Sequence, residues 1–370
     1  MRALVLAGLA TLVMTGLAHA ATVRVPADQP TLQAGIDAAG NLDSVLVAPG
    51  IYAGTSNKNL SLAGKSIVLV SETGAGATII DCEGSGRGLL IESPGADATI
   101  IDGFTFRNGS VPAAQGAAIN FQLASPAVRN CVFADNAAGG GGALYCHFAS
   151  PAIEDCVFLR NSGNGGGVAT VGMDARPTFR RCVFANGNGG RGAGSYSGAA
   201  SSPRFEACIF NRNSATQTGG AIYSQSNAVV RLVNCTLHAN AGVGAGVSVR
   251  EYLGNPGHAV IENTIIAFSP LGEAVSCDAT STAQITCSDV FGNAGGDWTG
   301  CIASQLGENG NIAADPRFCG APHDDFTIDE TSPCAPANSG SCGLVGALPV
   351  GCGVIALEAV TWGRLKAEWR

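Results

Sequence analysis

Charge is scarce in this chain. Only 13% of the 370 residues are Asp, Glu, Lys or Arg, the formal net charge is −8, and the 20 basic residues are scattered. No basic stripe is present to follow a phosphate backbone or an anionic membrane surface, which excludes nucleic acid as a partner. Hydrophobic runs are short: the longest, residues 3–17, is too short to span a bilayer comfortably, so no membrane span is expected. Cysteine pairs of the C-x-x-C kind are missing and the five histidines are dispersed, which argues against a zinc site.

What is present begins with an address. Met1-Arg2, the apolar stretch and Ala18-His19-Ala20 read as a secretory signal peptide cut after Ala20. The mature chain is expected outside the cytoplasm: extracellular, at the cell surface or periplasmic. All 14 cysteines follow that site, where an oxidising compartment allows disulfides. The 52 glycines with so few charges suit tight turns and stacked strands.

A repeat of about 26 residues organises the middle of the chain. Five segments align on Cys131, Cys156, Cys182, Cys208 and Cys235, spaced 25, 26, 26 and 27 residues apart. Three residues before each cysteine stand Val128, Ile153, Phe179, Phe205 and Leu232; two after it stand Phe133, Phe158, Phe184, Phe210 and Leu237. Side chains alternate along a strand, so both columns can point inward across a bend. Five residues after each cysteine come Asn136, Asn161, Gly187, Asn213 and Asn240, expected as a ladder of turns with left-handed backbone. Pro126, Pro151, Pro177 and Pro203 mark the turn into each strand. Glycine runs such as Gly141-Gly142 and Gly219-Gly220 precede a further strand.

These columns predict an all-β fold: a parallel β-helix of about nine coils with three short strands each, about 45 Å of stack at about 4.8 Å per coil. Leucine-rich repeats have a similar period, but their L-x-x-L-x-L signature is absent. The cysteine ladder reads as buried thiols packing as small apolar groups. The column Arg129, Glu154, Arg180, Glu206 alternates in sign and reads as cross-strand pairing. Expected boundaries are a signal peptide (1–20), an N-terminal cap with a short helix carrying Leu32 and Ile36 (21–44), the β-helix (45–290), a Cys-rich cap (291–359) and a tail (360–370). Seven cysteines from Cys277 onward predict disulfides whose pairing stays open, with at least one thiol left over.

The opening Thr22-Val-Arg-Val-Pro-Ala-Asp-Gln-Pro-Thr-Leu-Gln33, Val45-Leu-Val-Ala-Pro-Gly-Ile-Tyr52 and the central repeats resemble the pectin lyase-like superfamily. Cys287-Ser-Asp-Val-Phe-Gly-Asn-Ala-Gly-Gly-Asp-Trp298, Asp315-Pro-Arg-Phe-Cys319 and Ser332-Pro-Cys334 are similar to the C-terminal part of exported bacterial β-helix proteins. The resemblance implies a right-handed parallel β-helix. It leaves activity open, because that fold hosts lyases, hydrolases, esterases, adhesins and inert scaffolds.

Catalytic patterns of the superfamily are missing. Asp81, Glu83, Asp102, Asp135, Glu154 and Asp155 do not form the Asp sets of polygalacturonases, and Gly50-Ile-Tyr52-Ala-Gly54 lacks the Glu of the pectin methylesterase start. Gly64-Lys65-Ser66 mimics the end of a P-loop without its first glycine. Asp289, Asn293 and Asp297, spaced by fours in a Gly-rich loop, present oxygens of the kind Ca²⁺ takes, while an Asx-turn loop needs no metal. No other cofactor is implied. The expectation is therefore a monomeric exported scaffold that contacts polysaccharide or a cell-surface protein along a flat flank, through exposed Tyr145, Tyr196 and Tyr223. The alternative is a lyase or glycoside hydrolase acting on acidic, uronate-type polysaccharide.

Overall fold

Like residues of successive windings do pile into rows. The structure, a computed structural model, describes residues 20–167 and 169–352; the expected signal peptide up to residue 19 and the tail 360–370 lie outside the described residues. The chain winds as a parallel β-solenoid through four sheets. Sheet 1 has eleven strands, from Thr22–Val25 to Thr282–Thr286, and sheet 2 has ten, from Gly50–Tyr52 to Asp289–Phe291. Sheet 3 has six, from Ser110–Gln115 to Ala241–Val243, and sheet 4 has nine, from Leu60–Ser61 to Val275–Cys277. The solenoid is thus about ten coils long. The expected three strands per coil describe its ends; six central coils add a fourth, short strand in sheet 3, which ends just before the glycine that turns the chain into sheet 4.

One central coil shows how the sequence turns. Ala127–Arg129 lies in sheet 1, Val132–Ala134 in sheet 2, Ala137–Gly140 in sheet 3 and Leu144–His147 in sheet 4, before Ala152–Glu154 re-enters sheet 1. Single left-handed residues make the corners. Asn130, Asp155, Arg181, Ala207 and Asn234, each just before a ladder cysteine, have φ between 49° and 53°. Asp135, Arg160, Asn186, Arg212 and Ala239 repeat this one residue before the asparagine column, with φ between 51° and 57°. The left-handed residue is therefore the neighbour of the ladder asparagine, a correction to the sequence expectation. The asparagine itself is buried, and its amide bonds along the stack. Asn136 N and Nδ2 both donate to Asn161 Oδ1 at 3.0 Å, and Asn213 N and Nδ2 to Asn240 Oδ1 at 3.0 and 2.9 Å. Asn161 Nδ2 also donates to Phe133 O at 2.8 Å, so a buried polar row is satisfied from within. At the corner into sheet 4 only glycine fits: a Cβ on Gly219 (φ +71°) meets Ile222 O at 2.6 Å and Tyr223 Cβ at 2.9 Å.

Inside the tube the register converts columns into stacks. Val128 pairs with Ile153 and Val132 with Val157, which bracket Cys131 and Cys156 one above the other. The five ladder thiols are buried and unpaired in disulfides, and burial pushes those of Cys156 and Cys208 up. Phe133, Phe158, Phe184 and Phe210 stack with centroids 4.8, 4.7 and 4.5 Å apart, and Phe179 and Phe205 form a second stack at 4.9 Å. Volume is balanced within each coil. Against Phe179 and Phe184 sheet 4 sets Ser195 and Ser197; against Phe205 and Phe210 it sets Ile222 and Ser224, and against Val128 and Phe133 it sets Leu144 and Cys146.

The two ends are stopped by side-chain amides standing in for the next strand. The helix Leu32–Ala38, capped by Thr31 Oγ1, buries Leu32 and Ile36 against the first coil. From it Gln33 donates to Ser61 O and accepts from Ser61 N, at 3.1 and 3.0 Å, on the edge of sheet 4. Lys65, the residue of the P-loop mimic, instead binds the carbonyls of Ile36 and Ala39 at the helix C-terminus. At the other end Gln305 accepts from Ile285 N and donates to Ala283 O, each at 2.8 Å, on the edge of sheet 1. The Cys-rich segment carries Cys277–Cys301, Cys287–Cys342 and Cys319–Cys352, with Cys334 as the buried thiol left over. This segment does more than close the end: the antiparallel hairpin Phe318–Gly320/Asp325–Ile328 folds back on the outer face of sheet 2, where Phe268, Phe318 and Phe326 surround His238.

Candidate functional site

Alternation along the strands sends half of every sheet outward, and the outward faces differ sharply in chemistry. On sheets 1 and 2 and at the corners that bound them, carboxylates meet cations one coil along. Each of the six carboxylates singled out from the sequence has such a partner: Asp81–Arg107, Glu83–Lys58, Asp102–Arg129, Asp135–Arg160, Glu154–Arg180 and Asp155–Arg181, at 2.7 to 3.0 Å. Arg180 also reaches Glu206 at 2.9 Å, so the alternating column is a ladder of ion pairs. Burial by itself raises the Asp81 carboxyl, but hydrogen bonds from Asn108, the Glu83 amide and Arg107 outweigh it and hold the group below its ordinary value. These acids are partnered along the stack rather than converging on one point.

The loop of Asp289, Asn293 and Asp297 is built differently from an open cage. Asn293 occupies the asparagine column of the last coil: its Oδ1 accepts from Ser269 N at 3.1 Å and its Nδ2 donates to Ile266 O at 3.0 Å. Asp297 accepts from the backbone N of Gly292 and Asn293 and from Asn293 Nδ2. Asp289 is buried and accepts from Ala314 N and from Cys334 Sγ at 3.0 and 3.3 Å. The three side chains hold turns and the cap by hydrogen bonds. Among the described residues no group of three or more His, Cys, Asp or Glu side chains is placed to hold a metal ion.

Sheet 4 presents the other kind of face. Ile119, Phe121, Leu144 and Cys146 point into the core, which turns Asn120, Gln122, Tyr145 and His147 outward. The register continues these rows as Asn120, Tyr145, Thr170, Tyr196, Tyr223 and as Gln122, His147, Gly172, with Gly198 and Gln225 beyond. Ten positions over five coils carry no Asp, Glu, Lys or Arg. Aromatic and amide groups knit the strip together. Tyr196 and Tyr223 stack at 5.5 Å, Tyr223 Oη donates to Gln225 Oε1 at 2.8 Å, and Gln225 Nε2 donates to Tyr196 Oη at 2.5 Å. Tyr145 and His147 lie parallel at 5.8 Å, with Tyr145 Oη 3.3 Å from His147 Nδ1. Burial raises all three tyrosine hydroxyls above their ordinary value. The expected exposure of the tyrosines holds only in part, since Tyr145 and Tyr196 are half-buried and Tyr223 is 4% exposed. The Arg191 guanidinium, 6.0 Å from the Tyr223 ring centre, lies over it. Sequence reasoning found the tyrosines but missed Asn120, Gln122, His147 and Gln225. Their only signal was a shared phase within the repeat, which needed the register of sheet 4 to read.

Comparison with known proteins bears on the fold. No curated protein matches the chain. Among solved structures, pectate lyase Pel9A is 14% identical over 86% of this chain and 91% of that one, with a TM-score of 0.46. The PL6 family alginate lyase AlyGC is 13% identical over 74% of this chain and 48% of its own, with a TM-score of 0.42. Among the described residues no helix is long and apolar enough to cross a membrane. A family model described as a right handed beta helix region matches residues 66–229 and 171–311, most of the solenoid, and the chain belongs to that family.

Proposed function

We propose that this protein is an exported scaffold that binds glycan along the outer face of sheet 4. The observation that carries the reading is the contrast between faces. Ion pairs consume the charge of sheets 1 and 2, whereas sheet 4 offers a five-coil strip of tyrosine, histidine and side-chain amides. Aromatic rings beside amide donors and acceptors suit sugars, whose rings have apolar faces and hydroxyl edges. A stack of identical windings also repeats its contacts at about 4.8 Å, which suits a polymer. Three disulfides in the cap support residence in an oxidising compartment.

The test is retention and turnover measured together. Purified protein is passed through gels containing single polysaccharides, neutral and acidic, and the same polymers are assayed for new reducing or unsaturated ends. Retention without new chain ends is expected, together with weaker retention of Tyr196→Ala. Release of chain ends from any polymer makes the protein an enzyme of the lyase or hydrolase kind. Capture by a surface protein with no retention on any glycan overturns the reading.

A further inference from the structure

The Cys-rich cap is fastened to the solenoid in two ways. One stretch is strapped down by backbone and amide bonds. Ala347 N donates to Thr236 Oγ1 at 3.0 Å and Gly346 N to Asn263 O at 2.8 Å, while the Asn234 and Asn263 amides both donate to Leu344 O. The Cys287–Cys342 disulfide holds the start of this strap. The hairpin Phe318–Gly320/Asp325–Ile328 is seated through side chains. Asp324, left-handed in the turn between its strands, accepts from Asn211 Nδ2 and pairs with Arg212, each at 2.8 Å. Phe318 and Phe326 close on His238 with ring centres 5.9 and 4.9 Å away, and Phe268 of the next coil completes the box at 5.9 Å.

A histidine is not demanded at this place by the fold. The same row of sheet 2 carries Ala134, Leu159 and Ala185 in earlier coils and Ala267 in the next, so small or apolar side chains meet its geometry. Beneath the hairpin His238 is 8% exposed. Its Nδ1 lies 3.0 Å from Asn211 Oδ1, and the Asn211 amide nitrogen is already given to Asp324. The Asn211 oxygen therefore accepts, and the neutral imidazole carries its proton on Nδ1. A second proton goes to Nε2, and the phenyl rings that enclose the imidazole supply no carbonyl or carboxylate to accept from it. Burial, then repulsion from Arg212, push the imidazole down from its ordinary 6.5 to about 4, while Asp324 pulls the other way. Between those values a released imidazole takes up a proton that the docked one refuses. Docking is therefore strongest above 6.5 and weakens as pH falls to about 4, by up to about 300-fold over the interval.

We propose that the hairpin is an acid-released flap: it covers the outer face of sheet 2 while His238 is neutral, and protonation of the buried imidazole drives it off. Lifting it bares Phe268, Phe318 and Phe326, an apolar surface that is closed at neutral pH. The strap and the Cys319–Cys352 disulfide keep the hairpin tethered, so release is reversible. The flap operates whatever sheet 4 binds.

Hydrogen exchange of the full chain, disulfides intact, tests this when mapped by peptide from neutral pH to about 4 and corrected for the intrinsic pH dependence of exchange. Residues 318–328 should lose protection steeply as pH falls, while residues 342–347 of the strap stay protected. His238→Gln keeps a donor for Asn211 Oδ1 but cannot titrate, so its hairpin should hold protection across the range. Asp324→Asn should loosen the hairpin already at neutral pH. Asp289, a buried acid under the same cap, is present in every variant and drops out of the comparison. An identical acid response in wild type and His238→Gln overturns the proposal. Protection held throughout in wild type does so too, and means that the rings accept the imidazolium as a cation. Where His238→Gln fails to dock at neutral pH, the imidazole NMR signals of wild type decide. Proton uptake in step with hairpin release supports the flap, and uptake with the hairpin still protected overturns it.

Discussion

Phe148 and Asp289 show how single side chains in this repeat can be set against stability. Phe148 sits at φ 48° with nearly half its surface in water. Glycine takes that backbone without penalty, so Phe148→Gly should stabilise the protein by roughly 1 kcal/mol, read as a higher urea midpoint. A drop in the midpoint would mean that the phenyl ring supports the fold. Asp289 is a buried acid whose carboxyl is pushed up to about 7, chiefly by burial, from an ordinary value of 3.8. Asp297 and Asp315 add repulsion, and hydrogen bonds from Ala314 N and Cys334 work the other way. Between those two values the unfolded chain has already lost a proton that the native chain keeps. Stability is therefore greatest below the ordinary value and declines as pH rises to about 7, by an amount on the order of a few kcal/mol. Asp289→Asn should flatten that decline in denaturation curves taken across the range.

At the scale of the strand, the coil behaves as one unit of volume. Phe184 touches Phe158, Phe179, Phe205 and Phe210, so Phe184→Ala opens a cavity that neighbouring coils cannot close and should cost about 3–5 kcal/mol. Ser195 and Ser197 face those rings from sheet 4, and neither hydroxyl has a hydrogen-bond partner. Replacing them by alanine removes an unmatched polar group while keeping the space, so Ser195→Ala and Ser197→Ala should each raise the melting temperature. A fall would show that the hydroxyls are matched in solution. The neighbouring coil shows the limit of the space: beside Phe205 and Phe210 its sheet 4 strand admits Ile222 with Ser224.

For the whole molecule, stability is a sum over neighbouring windings, and cross-links occur at one end only. All three disulfides join residues between Cys277 and Cys352. Reduction should free that cap to hydrogen exchange while strands from Ser44–Val47 to Ile265–Ala267 stay protected, as expected when each winding leans on its neighbours. Uniform loss of protection along the solenoid would instead mean that the cap holds the stack together. The Gln33 and Gln305 amides, bonded to edge-strand backbone, keep the two open ends from acting as templates for further strands.

The periodic part of this protein was legible in its residues. A 25–27-residue spacing of cysteine, with aromatic columns before and after it, is compatible only with windings in register, and it foretold the stacks of Phe133 to Phe210 and the shared row of Asn136, Asn161, Asn213 and Asn240. Helix, strand columns and ion-pair ladder followed because each depends on offsets within one repeat. Three matters waited for the tertiary structure. The fourth sheet arises from short segments just ahead of the glycine runs, whose pairing depends on a bulged register. The pairing of six cap cysteines and the isolation of Cys334 depend on a non-repeating chain folding back on sheet 2. The uncharged strip of sheet 4 and the strained corner at Phe148 exist only when residues 25 to 30 positions apart are laid side by side. Periodicity states which residues share a row; only the closed tube decides which rows face water, and what each row meets there.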